Sequence, residues 1–160
     1  MTVRLLGLGN DLLADDAFGV EVLRQIAPTL PAEVQTATSI ASGFALIDDL
    51  LGADRLIVID TMTTGHQVPG NVRRFEASDI TPATGQSPHY VGMFETLQLG
   101  RRLGLHVPAE IVILAVEAGD CLTIGGPMST EMRAAIPVIE GMIREQLARW
   151  REPMVSVDSR

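Results

Sequence analysis

An apolar run, Val3 to Leu6, feeds directly into Gly7-Leu8-Gly9-Asn10, and an amphipathic stretch, Ala17 to Ile26, follows shortly after. A chain written in that order has one natural course: a buried strand, a tight glycine turn, and a helix that packs back on the strand. A helix start offers unpaired N–H groups and a positive dipole end, so such a turn usually suits an anion. Here the turn already holds Asp11, Asp15 and Asp16. It therefore suits a cation, or acid–base chemistry, better than a phosphate.

The same alternation continues along the chain. Strands are predicted over 3–7, 34–38, 56–59, 71–76 and 111–116, and helices over 17–27, 45–51, 91–103 and 131–150. Pro28 and Pro31 stop the first helix, Gly104 stops the third, and Pro137 and Gly141 predict a break or bend in the last. Strands separated by helical segments imply an α/β fold: one three-layer domain with a twisted, mainly parallel sheet and helices on both faces. The short connection before Asn71 leaves that strand open to an antiparallel course. The domain is expected to span 1–150, with 151–160 a tail that frays. At 160 residues and 46% apolar, the chain is long enough to bury a sizeable core as one domain.

Charge and residue usage exclude several functions. The net charge of −8 disfavours a nucleic-acid partner. All 12 basic residues are arginine. Without lysine there is no Schiff-base cofactor chemistry and no phosphate-loop lysine. No apolar run reaches the roughly 20 residues of a membrane span, and no leader precedes the first strand, which predicts a cytoplasmic protein with no membrane insertion. Cys121 is the single cysteine and reads as a small apolar residue after a strand. The glycine turn lacks the third glycine of a dinucleotide fingerprint, since Leu12 stands there, and no acidic residue ends the second strand, so no organic cofactor is expected. Peptidyl-tRNA hydrolases open on a similar Gly-Leu-Gly-Asn, but Asp11 replaces their proline, their Arg-His-Asn segment is missing, and the charge is wrong for tRNA.

Ligands of parallel sheets bind beyond the carboxyl ends of the strands. Those ends carry Asn10, Asp11, Asp15 and Asp16 in the first loop, then Asp60-Thr61, then Glu117 and Asp120, with His89 near the start of the third long helix. Asp16, Asp60 and His89, from three separate segments, would make an incomplete site for a borderline divalent metal, with positions open for substrate or water. Each has an ordinary alternative. Asp15 or Asp16 would cap a helix, which accounts for one of them. Asp60 would end a strand by bonding loop amides, His89 would be an exposed loop residue, and Glu117 would be a supporting base or solvated. His66 and His106 read as surface residues.

Three motifs then occur in order. They are Gly7-Leu8-Gly9-Asn10-x-Leu12-x-x-Asp15-Asp16-x-x-Gly19, Leu56-Ile57-Val58-Ile59-Asp60, and Ser87-Pro88-His89 followed by Gly92. In these the chain resembles the hydrogenase maturation endopeptidases, which trim the large subunit of nickel–iron hydrogenases, and the resemblance runs to about Arg149. It implies a metal-contacting trio of Asp16, Asp60 and His89 that serves catalysis. It also implies a partner, the nickel-loaded large-subunit precursor, whose C-terminal extension is removed. Nickel would be supplied by that substrate and read as a checkpoint. Many members of the family carry glutamate at the position of Asp16, and a glycine-rich Asp-Gly-Gly-Thr stretch where this chain has Thr38–Ser42. Partner recognition is expected from residues 38–44 and the Thr61–Pro69 stretch. A non-catalytic metal-sensing or chaperone-like binding protein on the same fold is the alternative function.

Overall fold

A computed structural model describes residues 1–76 and 88–151, with the backbone alone for 88–91. Five strands, β1 (Val3–Leu8), β2 (Val34–Ser39), β3 (Arg55–Met62), β4 (Val72–Glu76) and β5 (Glu110–Glu117), form one sheet in the order β2-β1-β3-β5-β4. The pairings β1–β2, β1–β3 and β3–β5 are parallel; β4 runs antiparallel to β5 at the edge. The short connection into β4 explains that reversal, because a parallel strand needs a longer crossover.

The two faces of the sheet bury separate clusters. Leu5, Ile57, Ile59, Val112 and Leu114 meet Phe18, Val22 and Ile26 of α1 (Phe18–Ile26) and Ile136, Ile139 and Ile143 of α4 (Thr130–Arg151). On the other face Leu6, Leu8, Leu56, Val58, Met62 and Ile113 meet Leu50 of α2 (Ile47–Leu50) and Met93 and Leu97 of α3 (Pro88–Arg102). The central strands β1, β3 and β5 are buried on both sides, which is why they read as continuous apolar runs rather than alternating ones. Each fully buried aliphatic or aromatic side chain contributes roughly 1.5–3 kcal/mol relative to exposure. The three-layer, mainly parallel reading of the sequence holds.

Several details differ from the sequence reading. The second helix is mostly a 3-10 turn, Gly43–Leu46, with only one α turn after it. The last helix runs unbroken through Pro137. Pro137 is exposed, so water can take the carbonyl it leaves unbonded, while Ile136 and Ile139 hold the helix to the sheet. That helix also reaches Arg151, which pairs with Glu33 at 2.6 Å. The rest of the expected tail, 152–160, lies outside the described residues.

The glycines of the first motif set the depth of the site. A Cβ on Gly19 would stand 2.5 Å from the Leu8 carbonyl oxygen and 2.8 Å from that of Ile59. The absence of one lets the start of α1 lie directly on β1 and β3. Gly9 has φ +130°, and a Cβ there would collide with the Asp16 carbonyl oxygen. The turn is thus folded back on the residue it delivers.

Candidate active site

The pairing of β1 with β3 ends at Gly7↔Ile59, whereas β3 and β5 continue together through Asp60↔Ala115, Thr61↔Val116 and Met62↔Glu117. Asp60 therefore does not end its strand. It lies inside β3, just past the point where β1 turns away, and is fully buried. Strand alternation puts it on the face of Leu56, Val58 and Met62, toward α3, while Thr61 faces the side of Ile57 and Ile59.

Thr61 joins the two candidate carboxylates. Its N–H donates to Asp60 Oδ1 at 2.8 Å, and its hydroxyl donates to Asp16 Oδ1 at 3.3 Å. The other oxygen of Asp16 accepts the Asn10 N–H at 2.8 Å, across the glycine turn. Asn10 in turn bonds the Leu12 N–H through its own side chain, at 3.0 Å. Asp16, from the loop after β1, and Asp60, from β3, thus converge on one residue at the carboxyl edge of the sheet.

The neighbour of Asp16 does something else. Asp15 is 1% exposed and reaches across the fold. Its Oδ2 accepts the N–H groups of Gly119 and Asp120, both at 3.0 Å, and its Oδ1 accepts that of Ser129 at 2.7 Å. Burial alone would raise its pKa. The N–H donors of Ser129, Asp120 and Gly119, with the Ser129 hydroxyl, outweigh that and hold it below the usual carboxylate value. Neither aspartate caps α1 through its side chain. Asp15 ties the first loop to the segment between β5 and α4, and Asp16 faces the site.

Glu117 is likewise a tether rather than a base or a solvated group. It is buried and accepts the N–H groups of Thr64 and Gly65 at 2.8 and 2.9 Å and the Thr64 hydroxyl at 2.9 Å, fastening the loop after β3. Cys121 lies half-buried with its sulfur 3.9 Å from the Thr61 hydroxyl. Burial pushes its thiol up to about 11, opposed by the bond to the Thr61 hydroxyl, with smaller upward contributions from the carboxylates of Asp16, Asp15 and Asp60. At neutral pH it is a thiol and a poor nucleophile.

His89 is the second residue of α3, inside the helix rather than in the loop before it, with Pro88 at the first helical position. Its side chain lies outside the described residues. The first turn of α3 is held against the 3-10 turn: a Cβ on Gly92 would collide with the backbone of Gly43, and the Thr96 hydroxyl lies 3.2 Å from the Gly43 carbonyl oxygen. Met93 packs in one cluster with Leu8, Leu46 and Met62, so this turn lies on the carboxyl-edge side toward which Asp60 points. Among the described residues, no three His, Cys, Asp or Glu side chains gather closely enough to hold a metal ion. His66 is exposed in the loop after β3, and His106 pairs with Asp54 at 3.0 Å before the amino end of β5.

The hydrogenase maturation protease family model matches residues 38–146. The hydrogenase expression/formation protein HupD of Bradyrhizobium diazoefficiens is 31% identical over 153 residues, covering 92% of this chain and 79% of its own. The chain belongs to the hydrogenase maturation protease family. The hydrogenase 2 maturation protease of Escherichia coli is 28% identical over 153 residues, with 92% of this chain and 87% of the relative covered. A solved hydrogenase maturating endopeptidase, HybD from E. coli, shares the fold at TM-score 0.78, with 94% of each chain covered at 23% identity. This maturation protease is a peptidase, which decides the reaction class against the binding-protein alternative. Among its described residues, no helix is long and apolar enough to cross a membrane.

Sequence reasoning missed two features. The clamp of Asp15 was signalled only by an aspartate doublet of which one cap explains half. Thr61 gave no signal beyond its place after Asp60.

Proposed function

We propose that this protease removes the C-terminal extension of the large-subunit precursor of a nickel–iron hydrogenase after nickel has been inserted, and that Asp16, Asp60 and His89 meet that nickel. The observation that supports the reading most is the convergence of Asp16 and Asp60 on Thr61. Asp16 from the loop after β1 and the buried Asp60 of β3 both bond Thr61 near the carboxyl edge of the sheet, in a chain of this family. Carboxylate oxygens with one imidazole are an acceptable donor set for a borderline divalent ion and leave coordination positions to the substrate's own ligands. The metal is the precursor's cargo. Docking on it would fix the scissile peptide relative to the protease, so that cleavage follows insertion. Asn10 and Thr61 orient Asp16, and Thr61 orients Asp60.

The test is to mix the purified protein with nickel-loaded and nickel-free precursor and follow the precursor mass. The loaded form should lose its extension and the nickel-free form should stay intact. Asp60→Asn keeps the acceptor for the Thr61 N–H and removes the charge, so it should fold and cut at least about a hundredfold more slowly. His89→Ala should fail likewise, while His66→Ala and His106→Ala cut at the wild-type rate. Equal cutting of loaded and nickel-free precursor would refute the checkpoint. Wild-type cutting by Asp60→Asn would remove that carboxylate from the chemistry.

A further inference from the structure

Large apolar side chains stand exposed on every loop that follows a parallel strand: Leu12 after β1, Ile40 and Phe44 after β2, Val68 after β3, and Leu122 and Ile124 after β5. A cluster of exposed apolar side chains at one end of a molecule, around buried carboxylates, is the usual mark of an interaction surface.

Two of these loops are built to hold their apolar groups in place. Leu13 and Ile124 form an antiparallel bridge. Beside it the Ala14 N–H donates to the Thr123 carbonyl at 3.1 Å, the Gly125 N–H to Leu12 at 2.8 Å, and the Asp15 N–H to Asp120 at 2.8 Å. The Asp15 carboxylate then fastens both segments to the start of α4 through the Ser129 N–H. This ribbon carries Leu12, Leu122 and Ile124 at 65%, 86% and 81% exposure. Apolar groups that are already ordered lose little entropy when a partner covers them, so they bind more strongly than the same groups on a slack loop.

We infer that the ribbon of residues 12–15 and 120–125 is the docking element for an apolar segment of the precursor next to the bond that is cut. The inference rests on the function proposed above. Continuity with the candidate site points to this occupant, because the ribbon includes Asp15 and is joined through it to Asp16. Charge narrows the choice by excluding an acidic segment. Exposed Asp11 stands beside the ribbon and exposed Asp120 within it, and both repel an acidic segment. Recognition is thereby spread beyond residues 38–44 and the stretch Thr61–Pro69 to the loops after β1 and β5.

The experiment compares wild type with Leu12→Ser and with the double variant Leu122→Ser/Ile124→Ser on purified nickel-loaded precursor. Two readouts are taken: the steady-state cleavage parameters, and the affinity for precursor measured in the Asp60→Asn background. The double variant should raise KM and weaken binding about tenfold or more, with kcat nearly unchanged and thermal stability retained, since both side chains are exposed. Unchanged KM and affinity would overturn the inference. A fall in kcat alone would also overturn it, because it would mean that the ribbon shapes the chemistry. A wild-type dimer that the same substitutions disperse, seen by sedimentation, would overturn it in favour of a second copy of this chain. Failure of the wild type to cut any precursor would refute the proposed function, and the binding arm would still decide whether the ribbon docks that precursor.

Discussion

Two adjacent aspartates divide into unlike roles because one side chain finds backbone donors and the other faces the site. Asp15 is satisfied by three N–H groups, and Asp16 by one N–H and one hydroxyl. Cys121 is the third group at this scale, and its environment decides it. Half-buried, and beside carboxylates that oppose a thiolate, it stays protonated at neutral pH. Cys121→Ser should therefore leave the cleavage rate within about twofold of wild type and cost on the order of 1 kcal/mol of stability. Reaction of the native protein with iodoacetamide should be far slower than that of the urea-unfolded chain, and should rise only at alkaline pH. Loss of cleavage in the serine variant would show that the thiol takes part.

At the scale of elements, the first turn of α3, the turn that carries His89, lies close against the 3-10 turn. Gly92 is the contact, and the backbone of Gly43 leaves no room for a methyl group. Gly92→Ala should push the first turn of α3 outward, costing about 1–3 kcal/mol and lowering the cleavage rate more than tenfold while the far-UV spectrum is kept. An active variant of wild-type stability would mean that this contact positions nothing. The same elements explain what the sequence made legible. β1, β3 and β5 are covered on both faces, so their apolar runs were plain, and their carboxyl ends located Asp16 and Asp60. The 3-10 turn was hidden because Gly43 to Leu46 has a helical apolar pattern and lacks only the length. His89 was read as lying before its helix, although Pro88 is a favourable first helical residue. The partners of Asp15 stand 104, 105 and 114 positions away, and no local pattern encodes such a distance.

At the scale of the whole molecule, the Asp15 clamp closes the fold: it joins the loop after β1 to the end of β5 and the start of α4. Its pKa is lowered in the folded state, so its stabilisation is fully present above the ordinary carboxylate value and is lost as pH falls through the folded value. The clamp should therefore hold at neutral pH and weaken below about pH 4. Asp15→Asn cannot accept all three N–H bonds, because its amide nitrogen is a donor. At neutral pH it should cost about 2–4 kcal/mol, the usual consequence of orphaned buried donors and a lost charge-assisted bond. Below about pH 4 the unfolded chain takes up a proton that the folded carboxylate resists, so the advantage of the wild type falls and the gap between the two proteins should narrow. Urea unfolding of both proteins at pH 7 and pH 3 measures this directly. A gap of equal size at the two pH values would show that Asp15 stabilises the fold by packing rather than by its charge, and acid lability would then have to come from the other carboxylates.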